Sequence, residues 1–214
     1  MVAERPQARP RILGLTGGIA SGKSTVGEML VGLGALRHID ADKVIHQLMR
    51  HGSPTAAAIG KRFGGEVLRP DGSVDRERLG GLVFADREAL ADLEDLTHPA
   101  VRDVIRSDIE ALDGSEGVVV LDAVKLLQGE LLKLCDAVWV VRTDPEVQLR
   151  RLTTNRGMSQ HDALSRIHAQ PSFDSPAVTA VIDNSGSLDA LGARVQSLWE
   201  AQLQAWAAPK HLAD

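Results

Sequence analysis

Four runs of apolar residues along the chain predict buried β-strands. They occupy residues 12–15, 117–122, 137–141 and 178–182, and a more polar run at residues 35–40 predicts a fifth strand. Runs without polar alternation are typical of parallel strands that are covered on both faces. Helical patterns separate the runs, so the order of elements predicts an α/β fold with a doubly wound, five-stranded parallel sheet and right-handed crossovers.

Amphipathic segments between these runs predict helices. Their apolar residues recur at the spacing of three and four positions that places them on one helix face. The stripes outside residues 52–112 are Val26, Leu30 and Leu33; Val44, Ile45 and Leu48; Leu126, Leu127, Leu131 and Leu134; Val147, Leu149 and Leu152; and Leu188, Leu191, Val195, Leu198 and Trp199.

Residues 52–112 contain no convincing strand, and their helical patterns alternate with turn signals. The patterns cover residues 56–63, 76–84 and 87–96 and a stripe of Val101, Val104, Ile105, Ile109 and Leu112. His98 and Pro99 predict the start of that last helix, because proline suits a first helical turn. We therefore predict a helical insertion between the second and third strands.

These patterns predict the organisation of the chain. Residues 11–51 and 113–214 should form the sheet-containing core, with residues 52–112 inserted into it. Residues 1–10 are polar and contain two prolines, so they are predicted to be a disordered lead-in.

Composition narrows the class of protein. The 214 residues carry a net charge of −5, which gives no basic excess for a nucleic-acid partner. No apolar run reaches the roughly 18 residues of a membrane-spanning helix, and the start lacks the apolar core of a signal peptide. The single cysteine, Cys135, cannot form an internal disulfide, and its leucine-rich surroundings favour packing over chemistry. We expect a cytoplasmic protein that is a monomer or a weak homo-oligomer, without a membrane partner.

A glycine-rich turn connects the first predicted strand to the first predicted helix. It fits the pattern G-x-x-x-x-G-K-[ST], and its position between strand and helix gives the match its meaning. Glycines let the backbone curl with its N–H groups inward, so that a phosphate can lie at the helix N-terminus. The residues predicted to bind a nucleotide are Gly17, Gly18, Ile19, Ala20, Ser21, Gly22, Lys23, Ser24 and Thr25. Lys23 would reach the β- and γ-phosphates and Ser24 would bind Mg²⁺, which makes the fold one of the P-loop NTPase type. The alternative is an ordinary strand-to-helix turn with chance glycines.

Acidic residues follow two of the predicted strands. Asp40 and Asp42 follow the second strand, and Asp122 ends the third. Ligands of open parallel sheets bind at the carboxyl ends of the strands, so these carboxylates are expected near the nucleotide. Asp40 and Asp42 are candidates to accept or orient the proton of an attacking hydroxyl, although Asp42 could instead cap a helix. Asp122 could hold Mg²⁺ or its water, or simply mark a turn.

The phosphate-binding loop indicates a nucleoside triphosphate but leaves the reaction open. The chain lacks the Asn-Lys-x-Asp sequence of GTPases, and it is short for a motor or a helicase. A helical insertion and an arginine-bearing segment favour a small-molecule kinase, in which the insertion holds the acceptor and arginines neutralise charge on the transferred group. We predict a lid at about residues 153–175. The candidate arginines are Arg150, Arg151, Arg156 and Arg166, of which Arg151 is favoured as catalytic.

In their order and spacing, these motifs resemble the dephospho-coenzyme A kinase family. The likeness runs from residue 11 to about residue 198. It is carried by residues 14–25, 39–42, 63–64, 71–76, 83–84, 96–99, 135–136, 147–152, 156–159, 166–170 and 181–186. Most of these motifs are weak alone, and their combination is specific.

The resemblance implies a reaction and a set of residues. The reaction is ATP-dependent phosphorylation of the ribose 3′-hydroxyl of dephospho-coenzyme A, the last step of coenzyme A synthesis, with Mg²⁺. Asp42 would then be the base, with Lys23, Arg151 and Asp40 as further catalytic residues. Asn184 and Gly186 would lie near the adenine of ATP. The residues implied in binding the acceptor are Asp42, Arg76, Phe84 and His98; unaided, the sequence leaves His98 equally open to a purely structural hydrogen bond.

The chain departs from the family pattern at three places, one of which is the stretch after Gln170, which is shorter than usual and lacks the customary basic residues. The family usually reads Asp-x-Pro-Leu-Leu-Phe-Glu after the third strand, where this chain has no proline and carries Lys125 and Gln128. Lys125 could contact the acceptor's phosphates or face solvent. The family often has an arginine four residues after the position of Arg151, where this chain has Asn155 with Arg156 one step later, a rotation of about 100° on a helix. Another P-loop small-molecule or nucleotide kinase, or a nucleotide-binding protein with weakened catalysis, therefore remain the alternatives.

Overall fold

The structure is a computed structural model that describes residues 9–84 and 86–208. Its residues fall into two compact units: residues 39–113 form one, and the described residues before and after them form the other. The unit of residues 39–113 starts upstream of the predicted insertion, residues 52–112. Apart from Arg9 and Pro10, the predicted disordered lead-in lies outside the described residues.

One five-stranded sheet organises the unit formed by the residues before and after 39–113, and the last two residues of its second strand, Ile39 and Asp40, belong to the unit of residues 39–113. The strands of the sheet are β1 (Arg11–Gly17), β2 (Arg37–Asp40), β3 (Val118–Asp122), β4 (Ala137–Arg142) and β5 (Ala180–Asp183). They lie in the order β2–β3–β1–β4–β5, and β1 pairs in parallel with both β3 and β4, as β4 does with β5. The predicted α/β class with a doubly wound parallel sheet is confirmed. β5 begins at Ala180 and not at Val178, because the Val178 N–H bonds the Ser175 carbonyl in a turn.

Helices cover the sheet and bury its apolar strands. The helices of this unit are α1 (Lys23–Gly32), α6 (Pro145–Arg150), α7 (Gln160–His168) and α8 (Leu188–Ala207). The apolar faces of α1 and α8 and the strands share one core, which includes Leu13, Leu15, Val26, Leu30, Val120, Trp139, Val141, Ile182, Val195 and Trp199. Leu33 was predicted on the apolar face of α1, and this is wrong, because the helix ends at Gly32 and Gly34 turns the chain at φ 104°.

The segment after β3 was predicted to be one helix through Leu126, Leu127, Leu131 and Leu134. It forms two short 3₁₀ turns instead, Leu126–Gln128 and Glu130–Leu134. Gly129 between them has an extended backbone, with φ −114° and ψ 169°. Glycine is a poor helix former, and short 3₁₀ turns are the usual form of such connectors.

Cys135 packs just before β4. Its thiol donates weakly to the Leu131 carbonyl at 3.5 Å. Burial, and secondly the neighbouring Asp136 carboxylate, raise the pKa of the Cys135 thiol to about 12. The thiol is therefore protonated at neutral pH, which agrees with the predicted packing role.

The unit of residues 39–113 is helical. Its helices are α2 (Ala41–Leu48), α3 (Pro54–Phe63), α4 (Arg76–Val83) and α5 (Arg87–Glu110). Each is capped by a side chain that accepts a hydrogen bond from a first-turn N–H: Asp40, Ser53, Asp75 and Asp86, respectively. A separate apolar cluster holds them together and contains Met49, Ala56, Ile59, Val67, Val74, Leu79 and Val83.

The predicted helix start at His98 and Pro99 is wrong, because α5 runs without a break through Pro99. Leu93, Thr97, Val101 and Ile105 are spaced four residues apart, so one inward-facing stripe continues across the proline. α5 and α8, at 24 and 20 residues, are the longest helices. Within residues 9–84 and 86–208, neither these nor any other helix has the length and apolar character needed to cross a membrane.

Candidate active site

The glycine-rich turn joins β1 to α1 in a tightly curled backbone. Gly22 has φ 94°, and a Cβ there would lie 2.1 Å from Asn184 Nδ2. A Cβ on Gly17 would lie 2.3 Å from the Val141 carbonyl oxygen. Ala20 also has a positive φ, 55°, which costs an L-residue about 1–2 kcal/mol. The turn therefore needs its two predicted glycines and contacts that hold Ala20 in place.

Those contacts come from polar side chains outside the turn. Three successive carbonyls accept hydrogen bonds: Ile19 from Gln148 Nε2 (2.9 Å), Ala20 from Arg151 Nη1 (3.1 Å), and Ser21 from Asn184 Nδ2 (2.7 Å) and Thr143 Oγ1 (3.1 Å). Carbonyls that point outward leave the amides of a turn to form an anion-binding concavity.

α1 begins at the inner side of this turn. Its N-cap is Gly22, and no described side chain caps its first N–H groups. An uncapped helix N-terminus carries partial positive charge and unsatisfied donors, which suit a phosphate. Lys23 is the first helical residue, and its ammonium donates to the Gly17 carbonyl at 3.1 Å. Backbone and side chain thus converge on one anion site.

A cavity of about 390 Å³ opens over the turn. It is lined by Gly18, Ala20, Ser21, Gly22, Lys23, Ser24, Thr25, Arg151, Asn155, Arg156, Asn184, Gly186, Leu188 and Leu191. Cationic groups line it together with two leucines, a combination that suits a polyphosphate joined to a flat apolar base. Two of the residues predicted to bind the nucleotide, Gly17 and Ile19, do not line this cavity. Gly17 is buried at the end of β1, and the backbone of Ile19 is hydrogen-bonded to two glutamine side chains.

Arg151 fastens two parts of the cavity together. One nitrogen of its guanidinium donates to the Ala20 carbonyl, and the other donates to Asn184 O at 2.9 Å and Asn184 Oδ1 at 3.4 Å. The planar fork of arginine makes such multiple contacts with fixed geometry. Arg151 therefore places the end of β5 against the phosphate-binding turn.

A π-helical turn begins at Arg151. It covers Arg151–Asn155 and continues α6 with the wider i→i+5 hydrogen-bond pattern of a π-helix. Arg156 is five residues after Arg151, and both line the cavity. Arg150 and Arg166, the other predicted arginines, are exposed and do not line this cavity.

Asp122, at the end of β3, is 4% exposed. Its Oδ2 lies 3.6 Å from Nε2 of His38 on β2, slightly too far for a hydrogen bond. A ring nitrogen and a buried carboxylate therefore face each other beside the sheet end. The Asp122 carboxylate and the Ser24 hydroxyl are hard oxygen donors, the type that Mg²⁺ prefers.

Comparison with known proteins agrees with this geometry. The profile of the dephospho-CoA kinase family matches residues 11–190. The chain belongs to the dephospho-CoA kinase family. A dephospho-CoA kinase of Symbiobacterium thermophilum is 47% identical over 195 residues, which cover 89% of this chain and 81% of the relative. Among solved structures, a dephospho-CoA kinase of Campylobacter jejuni is 26% identical with a TM-score of 0.62, covering 91% of this chain and 98% of that one. A Thermus thermophilus protein is 28% identical with a TM-score of 0.75, at 94% and 100% coverage.

Membership of the dephospho-CoA kinase family confirms the resemblance that was drawn from sequence motifs. It makes the chain a kinase, a transferase of a family that uses ATP, and it confirms the P-loop type of the fold. The family match runs over residues 11–190 and therefore includes residues of both compact units.

In this dephospho-CoA kinase family member, the acids after β2 have distinct structural positions. Asp40 is the N-cap of α2: its Oδ1 accepts from the Lys43 N–H at 3.1 Å, and its Oδ2 lies 3.5 Å from Lys43 Nζ. Asp42 is an exposed residue in the first turn of α2. The alternative that Asp42 caps the helix is therefore wrong, because Asp40 already does so.

Three predicted acceptor-binding residues lie on exposed surfaces of the helical unit. Arg76 begins α4, Phe84 follows α4 with 82% of its surface exposed, and His98 is on α5. Arg76 also acts on α2, because its charge is the second cause, after burial, that lowers the pKa of His46. Asp42 and Asp40 act on that pKa in the opposite direction.

The departures from the family pattern also have structural positions. Gln128 donates to the Ser172 carbonyl at 3.1 Å, so the amide ties the segment after β3 to the end of the predicted lid. Lys125 is exposed at the start of the first 3₁₀ turn. Asn155 and Arg156 both line the cavity, so the displaced arginine still reaches it.

Several residues that hold the site have no role predicted from the sequence. Thr143, Gln148 and Gln170 bind the backbone of the phosphate-binding turn or its neighbours, and His38 faces Asp122. Gln148 and Gln170 were noticed as parts of the family likeness. Their roles depend on contacts across more than 120 residues of sequence, for which spacing carries no signal.

Proposed function

We propose that this chain transfers the γ-phosphoryl group of ATP to the ribose 3′-hydroxyl of dephospho-coenzyme A, giving coenzyme A and ADP. The observation that carries the proposal is the uncapped start of α1, which meets an outward-bonded glycine turn and Lys23 at one cavity. The family that the chain belongs to supplies the acceptor. Small-molecule phosphoryl transfer needs this type of pre-formed, cationic cradle more than covalent chemistry.

In the proposed reaction, the 3′-oxygen forms a bond to the γ-phosphorus while the bond from that phosphorus to the β–γ bridging oxygen breaks. We assign to Asp42 the proton of the 3′-hydroxyl, with Asp40 next to it fixing the start of α2. Lys23 would stabilise the β- and γ-phosphates. Arg151 and Arg156 would neutralise negative charge on the phosphoryl group during its transfer.

Mg²⁺ is the expected metal, and Ser24 and Asp122 fit it as oxygen donors. When bound, the ion would neutralise charge shared by the β- and γ-phosphates. The protein's own part would be to orient the Ser24 hydroxyl at the start of α1 and to hold the Asp122 carboxylate beside His38.

The remaining roles concern the two substrates. Asn184 and Gly186, with Leu188 and Leu191, would hold the nucleoside end of ATP. Arg76, Phe84, His98 and Lys125 would contact the acceptor, and residues of about 153–175 would act as the lid. A cytoplasmic location and a monomeric or weakly self-associating state stay predictions.

An acceptor panel tests the function. We expect purified protein with ATP and Mg²⁺ to release ADP with dephospho-coenzyme A and to leave nucleoside monophosphates, shikimate and gluconate unphosphorylated. Mass spectrometry of the product should locate the new phosphate on the ribose 3′-oxygen. Turnover of another acceptor alone would point to a different small-molecule kinase, and ATP binding without any turnover would point to a protein with weakened catalysis.

A further inference from the structure

Two glutamine side chains hold the backbone of one residue in the phosphate-binding turn. Gln170 Oε1 accepts from the Ile19 N–H at 2.6 Å, and Gln148 Nε2 donates to the Ile19 carbonyl at 2.9 Å. Gln148 is on α6 and is only 6% exposed, whereas Gln170 follows α7. We propose that this pair, the amide clamp, positions the turn for ATP. The proposal rests on the proposed kinase function and assigns positioning residues to it.

The orientation of Gln170 follows from its two partners. Its Nε2 donates to the Ile167 carbonyl at 2.8 Å, while its Oε1 faces the Ile19 N–H. A carbonyl requires a donor and an N–H requires an acceptor, so the amide cannot be turned over without losing both bonds. Gln170 is thereby fixed to the end of α7 and to the turn at once. The clamp ties the predicted lid segment to the phosphate-binding backbone.

Gly18 gives the clamp its room. A Cβ on Gly18 would lie 2.1 Å from Gln170 Oε1 and 2.7 Å from Gln148 Nε2. Gly18 does not have a positive φ angle, so an alanine at this position would be disfavoured only by steric overlap with the two amides. Both amides approach the turn at the point where a side chain is missing. Replacing Gly18 by alanine should therefore displace both glutamines together.

The turn needs such support because of Ala20. This residue adopts φ 55°, a conformation that an alanine occupies only when its surroundings impose it. The clamp fixes Ile19 on one side of Ala20, and Arg151 binds the Ala20 carbonyl itself. Without the clamp, we expect the turn to populate relaxed conformations that do not bind phosphate. The measured ATP affinity then falls by the fraction of molecules that remain competent.

The first experiment removes each amide while keeping side-chain length. Gln170→Met and Gln148→Met should each weaken ATP binding about 3–10-fold, the effect of one lost hydrogen bond. Titration calorimetry with ATP and Mg²⁺ in the absence of acceptor measures this. The KM of the acceptor should not change, and kcat at saturating ATP should stay within about twofold, because the clamp acts before ATP is bound. Gln204→Met is the matched control, since Gln204 is an exposed glutamine near the end of α8.

Amide hydrogen exchange measured by NMR provides a direct readout. In Gln170→Met the Ile19 N–H should exchange at least about tenfold faster than in the parent, while amides of the central strand β1 should keep their protection. Gln170→Asn keeps an amide but is one methylene too short to reach both the Ile19 N–H and the Ile167 carbonyl, so its Ile19 amide should also exchange faster, which tests the clamp even if a methionine variant fails to fold. An unchanged Ile19 amide in a folded Gln170→Met or Gln170→Asn would overturn the proposal.

A second experiment combines Gly18→Ala with the glutamine variants. Gly18→Ala should weaken ATP binding as much as the Gln148→Met/Gln170→Met double variant does, and the triple variant should be no weaker than the double variant. If the effects multiply instead, Gly18 acts independently and the clamp is refuted. These titrations contain no acceptor, so a wrong acceptor would leave them unaffected. Failure of the parent protein to bind ATP would refute the proposed function itself, whereas equal binding by all variants would refute only the clamp.

Discussion

The phosphate-binding turn and the predicted acceptor-binding residues are built in opposite ways. Each of the Ile19, Ala20 and Ser21 carbonyls accepts a hydrogen bond from a side chain that is distant in sequence. By contrast, Arg76 and Phe84 lie on exposed surfaces of a unit whose helices are held by caps and an apolar cluster. The nucleotide end is thus fixed by many polar contacts to its backbone. The acceptor candidates contribute side chains to a surface whose backbone is fixed by packing.

This contrast predicts different kinds of mutational effect. A change at the turn alters the positions of several backbone donors at once, so it should affect ATP binding and transfer together. A change at an exposed acceptor candidate removes one contact and leaves the helices in place. The predictions below test this contrast from the largest expected effect to the smallest.

Replacing Lys23 by alanine should give the largest effect. The ammonium group would be lost from the start of α1, and we expect transfer to fall about 10²–10³-fold or more. Steady-state ADP release measures the loss. Lys133→Ala is a matched control, because Lys133 is an exposed lysine that pairs with Glu130 on the surface. Loss of activity in both variants, or in neither, would remove Lys23 from the catalytic residues.

Asp42→Asn should give the next largest effect. If the carboxylate accepts or orients the hydroxyl proton, kcat should fall about 10²-fold or more while ATP affinity stays the same. Asp40→Asn provides the comparison, since asparagine caps helices as well as aspartate does and the bond to the Lys43 N–H can persist. Rapid-quench measurement of the transfer step distinguishes the two variants. Equal losses in both would contradict the separate roles of the cap and the base.

Single alanine substitutions at Arg76, Phe84 and His98 should have smaller effects. Each removes one proposed contact with the acceptor, and we expect its KM to rise about 3–10-fold with unchanged ATP affinity. Initial-rate kinetics with varied acceptor provide the measurement. Arg87→Ala, an exposed arginine at the start of α5, should leave both parameters unchanged. A change in ATP affinity in the three variants would break the contrast between the two regions.

The smallest expected effect is on the titration of His46. Burial and the Arg76 charge lower its pKa, so the folded protein disfavours the charged imidazole. The unfolded chain then binds more protons below about pH 6.5, and the contribution of His46 to the free energy of unfolding falls as the pH drops. In Arg76→Ala the pKa of His46 should rise, which NMR titration of the ring protons detects. An unchanged or lower value would show that Arg76 does not act on His46.

Much of the fold could be predicted because its signals are local. Apolar runs marked the buried parallel strands, and the glycine-lysine-serine pattern marked the turn before α1. The continuous α5 was missed because Pro99 is a local signal of a first helical turn, which a buried stripe spanning both sides of it outweighed. Within the site, the roles of Gln148, Gln170 and Thr143 depend on long-range approach to a backbone, which side-chain spacing does not encode.

The wide turn between Arg151 and Arg156 bears on how such chains change length. An extra residue in an ordinary helix would rotate everything beyond it by about 100°. Here the turn Arg151–Asn155 is π-helical, with hydrogen bonds of the i→i+5 type, and Arg156, which follows it, still borders the cavity. A π-helical turn can thus accommodate one extra residue. The number of residues between two arginines can then change while both side chains stay at the cavity.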